Sequence, residues 1–250
     1  ARLMSGTQTL GTPNPPPTEL RPGDEALERV RLAPFLARYS LQRQGADGGF
    51  TAVGAWELHL QHARIDGAHA WRYVYSMFTD QATVYDQVHF AADGFAPLGR
   101  RMTAPGLDLV VLPGDSGIDV TRIHHGQDPV RTRHPVEGAR FAGGIDLALG
   151  QLGLTPGDRI ALPSTATDPP AIGMPLVQDV RVVAETTVEA AGRVWPALEI
   201  ETRWATPDGE PLEGLPAMSV WVTDRPPYVV RRSAGPMLWT LTSVMETDLR

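Results

Sequence analysis

The sequence runs to 250 residues with a formal net charge of -7 and a mean hydropathy of -0.17, and no apolar stretch approaches the ~20 residues that a membrane-spanning helix needs. The acidic balance argues against a nucleic-acid partner, which calls for a concentrated basic surface that Arg100-Arg101 and Arg231-Arg232 are too small to provide. Cysteine and lysine are both absent, which removes disulfides, thiolate nucleophiles, cysteine-ligated metals and Schiff-base chemistry.

Residues 1–23 carry Gly6, Gly11, Pro13, Pro15-Pro16-Pro17 and Pro22 with almost no apolar periodicity, and they read as a disordered or polyproline-like leader. A stretch of this kind often separates a removed signal peptide or tether from a folded body. The expected location is therefore periplasmic or otherwise exported, although no signal peptide is present in this chain. Residues 24–250 read as a single β-rich domain. A short helix is predicted over 24–32, ended by Pro34.

From residue 35 the pattern is strands. Segments 35–42, 50–64, 70–78, 83–91 and 95–102 are separated by glycine-bearing turns at 45–49, 65–67 and 92–94, the spacing of an antiparallel meander. In the third of these, Trp71, Tyr73, Tyr75 and Met77 share a face, and in the fourth Val84, Val88 and Phe90 do. Segments 107–112, 118–124 and 130–133 extend the meander far enough for the sheet to curl. A helix is predicted over 145–152 after Gly143-Gly144, then a strand at 159–162 and a loop over 163–175.

The strongest period-two pattern is a long hairpin over 177–204 with Ala191-Gly192 at its turn. Val180, Val182, Ala184, Thr186 and Val188 fall on one face of its first arm. In the second arm Val194, Leu198 and Ile200 alternate with polar residues. Strands at 218–223, 228–232 and 237–244 close the chain. The expected fold is all-β with minor α: a large curved antiparallel sheet, a half-barrel or open barrel, with one or two short helices.

Several short motifs follow a recognisable order: His-Phe-Ala-Ala-Asp-Gly-Phe-Ala-Pro-Leu at 89–98, Gly-Gly-Ile-Asp-Leu at 143–147, Leu-Thr-Pro-Gly-Asp at 154–158, the 191–192 turn, Val-Trp-Val-Thr-Asp at 220–224 and Tyr-Val-Val-Arg-Arg at 228–232. Together they resemble a family of exported bacterial domains of unassigned function, similar to the lipoprotein-carrier half-barrels. The resemblance covers roughly residues 35–245 and implies a curved sheet around an apolar cavity closed by short helices or loops. It brings no catalytic residues with it. The chain departs from the carriers in lacking a lipidation cysteine.

Among candidate chemistries, Gly114-Asp115-Ser116-Gly117 matches the tetrapeptide around the nucleophile of chymotrypsin-like proteases, but no partner motif completes a triad and a polar turn explains it better. His124-His125 with His134, or His59 and His62 with His69 and His89, would need strands to converge before they held a metal, so neither a metal nor a cofactor is expected. Glu199 and Glu201 alternate with Leu198 and Ile200, the signature of a wet sheet face. The aromatic set is richer. Trp56, Trp71, Tyr73, Tyr75, Trp221 and Trp239 come from strands across the chain and are the expected ligand-binding residues of a concave apolar face.

The leading functional expectation is a non-enzymatic envelope protein that binds an apolar small molecule or lipid. The alternatives are a hydrolase using Ser116 or a histidine-bound metal, and an envelope assembly scaffold that pairs its sheet edge with another protein.

Overall fold

A computed structural model describes residues 16–114, 116–168 and 171–246. The chain begins with β1 (Thr18–Glu19) and one helical turn, α1 (Glu25–Glu28). An eight-strand meander follows: β2 (Phe35–Gln44), β3 (Phe50–Ile65), β4 (Ala68–Thr79), β5 (Thr83–Ala91), β6 (Pro97–Ala104), β7 (Leu107–Gly114), β8 (Gly117–His124) and β9 (Val130–Pro135). A crossing segment with two 3-10 turns, Ile145–Leu147 and Leu149–Gln151, leads into β10 (Arg159–Thr165). A second meander contains β11 (Pro175–Ala190), β12 (Arg193–Ala205), β13 (Met218–Val222), β14 (Val229–Ala234) and β15 (Met237–Glu246). Antiparallel pairing of β15 with β2 joins the two meanders into one 15-stranded sheet, with β1 parallel to β10 at one edge and β9 at the other. The expected large curved antiparallel sheet is what the structure contains.

The predicted hairpin is β11–β12, and Ala191 and Gly192 both take positive φ at its tip (52° and 71°). Two consecutive left-handed residues make the turn whose twist matches the flanking strands. One feature of its pattern differs from the expectation. A bulge at Val183 shifts the register: Val182 faces Ile200, but Val188 faces Trp195. The buried positions of β12 accordingly change from Ile200 and Thr202 to Trp195 and Ala197, and Val194 is left 63% exposed. Strict alternation cannot register an extra residue in one strand, which is why Val194 reads as inward from sequence.

The inner face of the sheet is covered by the chain's own non-strand segments. Leu27 and Val30 from the α1 region, with Phe141, Ile145, Leu147 and Leu149 from the crossing segment, pack into one cluster with Phe35, Leu60, Val88, Val180, Trp195 and Val229 of the sheet. Burying a large apolar side chain contributes about 1.5–3 kcal/mol, so this plug is a principal part of the core. Both predicted helices are shorter than expected. Arg31, where the first would continue, instead exchanges two hydrogen bonds with the Gln151 side chain, its N–H donating at 2.8 Å and its carbonyl accepting at 3.0 Å. The second is replaced by the two 3-10 turns, and a methyl group at Gly150 would overlap the Thr223 carbonyl.

The sequence expectation of a leader over 1–23 falls mainly on residues 1–15, which lie outside the described residues. From residue 18 the chain is engaged: Thr18 and Glu19 pair with Ile160 and Ala161, and Leu20 is buried in the main cluster. Gly23 donates its N–H to the Gly94 carbonyl at 2.8 Å, and Gly94 (φ 75°) has the Gly23 backbone where a Cβ would stand. Only glycine suits a left-handed position with another backbone pressed against it.

Candidate functional site

Two arginine–aspartate pairs are set into the inner face. Register places Tyr75 opposite Asp86 on β4–β5, and Arg100 opposite Val88 on β5–β6, so all three polar side chains point inward. Asp86 and Arg100 are 1% and 6% exposed. Arg100 Nε donates to both Asp86 carboxylate oxygens at 3.0 Å, its Nη2 bonds the same carboxylate, and the Tyr75 hydroxyl donates to it as well. The remaining donors hold the segment after β10: Nη1 donates to Thr167 Oγ1 and Nη2 to Asp168 Oδ1 at 2.7 Å. Burial by itself would depress the guanidinium pKa, but the bonds to Asp86 and Asp168 outweigh it and push the value up, so Arg100 stays charged. Burial raises the Tyr75 phenol well above its ordinary range, which keeps it a neutral donor.

The second pair joins Arg232 of β14 to Asp146 of the first 3-10 turn, tying the plug to the sheet. The Arg232 guanidinium lies 5.0 Å from the Trp56 ring. Around it gather four of the six aromatic residues singled out from sequence: Trp56 is 6.2 Å from Tyr75 and 6.2 Å from Trp239, and Tyr73 is 6.1 Å from Tyr75. Trp71 is buried and stacks on exposed His62 at 4.2 Å. Trp221 lies under Arg231 at 5.7 Å, and Arg231 and Arg232, adjacent on one strand, take opposite faces.

A cleft of about 420 Å³ opens on the other flank of the Asp86–Arg100 pair. Its sheet wall is made by Pro97 and Arg100 of β6, Val111 and Pro113 of β7, and Ile118 of β8. Facing it are Val136, Arg140 and Ala142 of the crossing segment, with the hydroxyl-bearing Thr165 and Thr167. Phe141 anchors this roof, its N–H bonding the Pro163 carbonyl and its carbonyl accepting from Thr165, both at 2.9 Å. Ile172 adds a second small cluster with Leu109, Val111, Ile118 and Val120. None of the six aromatic residues lines the cleft, though Tyr75 is linked to its lining residue Arg100 through Asp86.

The cleft was hidden in sequence because its roof comes from a segment with no periodicity. Arg100 does leave a local signal. Asp86 interrupts the apolar face Val84, Val88, Phe90, and adjacent Arg100 and Arg101 must point to opposite faces, so one of them faces inward.

Ser116 is exposed in the β7–β8 turn, its hydroxyl is 3.4 Å from Arg133 Nη2, and among the described residues no base is bonded to it. His134 bonds Thr132 instead. Among the described residues no three His, Asp or Glu side chains gather in a way that could hold a metal.

On the outer face His59 and His89 both titrate below the ordinary histidine range, first because of partial burial and second because Arg72 is near. His89 Nε2 is 3.1 Å from the Gln87 amide nitrogen, a bond that the neutral imidazole accepts and protonation breaks. The unfolded chain takes up protons at about pH 6.5 while the folded chain resists until lower pH. The stability tied to these two groups is complete above that value and is lost as pH falls below it. Melting temperature is expected to be level between about pH 8 and 7 and to decline from about pH 6.5 to 5. The decline should be shallower in a His59→Gln/His89→Gln variant; an equal slope in variant and parent would assign the effect elsewhere.

The architecture is that of an open β-barrel-like domain, one curled antiparallel sheet plugged by its own crossing segment. It is similar to a solved structure described as a beta-barrel-like protein of a domain of unknown function, DUF1849, from Brucella abortus. The TM-score is 0.52 at 12% identity, and the match covers 88% of this chain and 100% of that one. At such identity the likeness shows the fold alone. No protein-family model and no curated protein matches the chain.

Proposed function

We propose that this is a non-enzymatic binding protein of the cell envelope that holds an apolar or amphipathic small molecule inside its sheet. The observation that carries the reading is the cleft between β6–β8 and the crossing segment. It is within the usual range for small-molecule sites, and its walls are largely apolar side chains and small residues with a few polar groups. Leu27, Phe141, Leu147 and Leu149 fill much of the inner face, which favours this flank as the ligand site. The aromatic cluster around Trp56 enters through Tyr75, whose hydroxyl is 3.4 Å from Arg100 Nη2.

Decanol titrated into the protein by calorimetry is expected to bind once per chain. Binding should weaken at least tenfold in Ile118→Trp, which fills the cleft, and be unchanged in Val194→Trp at the exposed hairpin tip. No measurable binding in the parent, or equal binding in Ile118→Trp, overturns the reading. The envelope location is supported by the resemblance of the turn motifs to exported bacterial domains. Fractionation of cells expressing the full-length gene tests it, and recovery with cytoplasmic markers would refute it.

A further inference from the structure

Among the described residues, the charge facing the cleft is of one sign. Among the described residues that line it, the ionisable side chains are Arg100 and Arg140, and no Asp or Glu is present. The two arginines are in different states. Arg100 is saturated by Asp86, Asp168 and Thr167 and has little capacity left for a ligand. Arg140 has its Nε on the Glu137 carbonyl at 3.0 Å, and among the described residues no carboxylate lies within ion-pair distance of its guanidinium. Arg140 therefore sets a cation beside an apolar wall in a chain whose net charge is -7. The planar fork of arginine suits carboxylate and phosphate oxygens, and the bond strengthens where water is displaced.

We propose that the cleft takes an acidic amphiphile. The anionic head pairs with Arg140, and the apolar chain lies along Val111, Pro113, Ile118 and Val136. This rests on the binding function proposed above and adds the ligand's chemical class. The cleft's size bounds the chain. At about 30 Å³ for each small group, 420 Å³ accommodates roughly a dozen non-hydrogen atoms. That matches a medium-length single chain with its head group.

The test compares three ligands of one chain length, decanoate, decyl phosphate and decanol, by calorimetry at low salt. A charge-assisted hydrogen bond is worth enough for about a tenfold preference or more, so at least one anion should bind about tenfold tighter than decanol, and which one does identifies the head group. That ratio should fall toward one in Arg140→Gln and be largely kept in Arg140→Lys, with thermal melts showing that both variants are folded. Equal affinity for all three ligands, or an anion preference that survives Arg140→Gln, overturns the inference while leaving the binding function intact. Absence of binding by any of the three overturns the binding function itself.

Discussion

Replacing Asp86 with alanine is expected to destabilise the protein by about 3–5 kcal/mol, the range for removing one partner of a buried ion pair. The loss arises less from the missing bond than from what remains. Arg100, 6% exposed, would keep its charge in the interior with Asp168 as its remaining carboxylate, and Asp168 is 67% exposed. Solvent screens that second pair, so it cannot replace a bidentate partner inside the sheet. Tyr75 would also lose the acceptor for its hydroxyl. Urea unfolding of Asp86→Ala, Arg100→Met and the double variant checks the account. The double variant should be closer to the parent than Asp86→Ala is, because it leaves no orphaned charge. A loss below about 1 kcal/mol in Asp86→Ala would mean that water reaches the pair and that it is not a buried rung.

Phe141→Ala is the second large effect, expected at about 3–5 kcal/mol, the usual cost of emptying a fully buried aromatic site. Phe141 is 1% exposed in the main cluster, and its backbone is bridged to Ser164 of β10. Both backbone bonds can survive the substitution while the ring's packing cannot. Its neighbours Arg140 and Ala142 form the roof of the cleft, so loosening this anchor should weaken decanol binding as well as lower stability. Unfolding and calorimetry on the same preparation separate the two effects. If stability falls and affinity is untouched, the roof is held by something other than Phe141.

These variants mark the limit of what the pattern of residues discloses. Strand positions in the first meander were legible because most inward residues are apolar, Asp86 and Arg100 excepted, and most turns carry glycine: Trp71, Tyr73 and Tyr75 share a face in sequence and in structure. The hairpin tip was legible for the same reason, since Ala191-Gly192 sits between two long alternating runs. The bulge at Val183 was not, because an unpaired residue leaves no mark until a partner strand is present to be out of step with. The partial gathering of the aromatic set has a similar origin. Trp56 and Trp239 meet because β15 pairs with β2, and β2 lies next to β3; sequence separation gives no hint of that neighbourhood.

Alternating side chains and glycine turns, read from the sequence alone, determined that the chain is a single antiparallel layer with one apolar side, since that periodicity is local. Which segments cover that side, and where they leave room, only the tertiary structure decided. Leu27, Phe141 and Leu147 fill most of the hollow from stretches that have no period of their own. Arg140 reaches the largely apolar cleft because the backbone of its neighbour Phe141 is bridged to β10. Long-range packing of irregular chain depends on the shape of the sheet it meets, and that shape does not exist until the strands have paired.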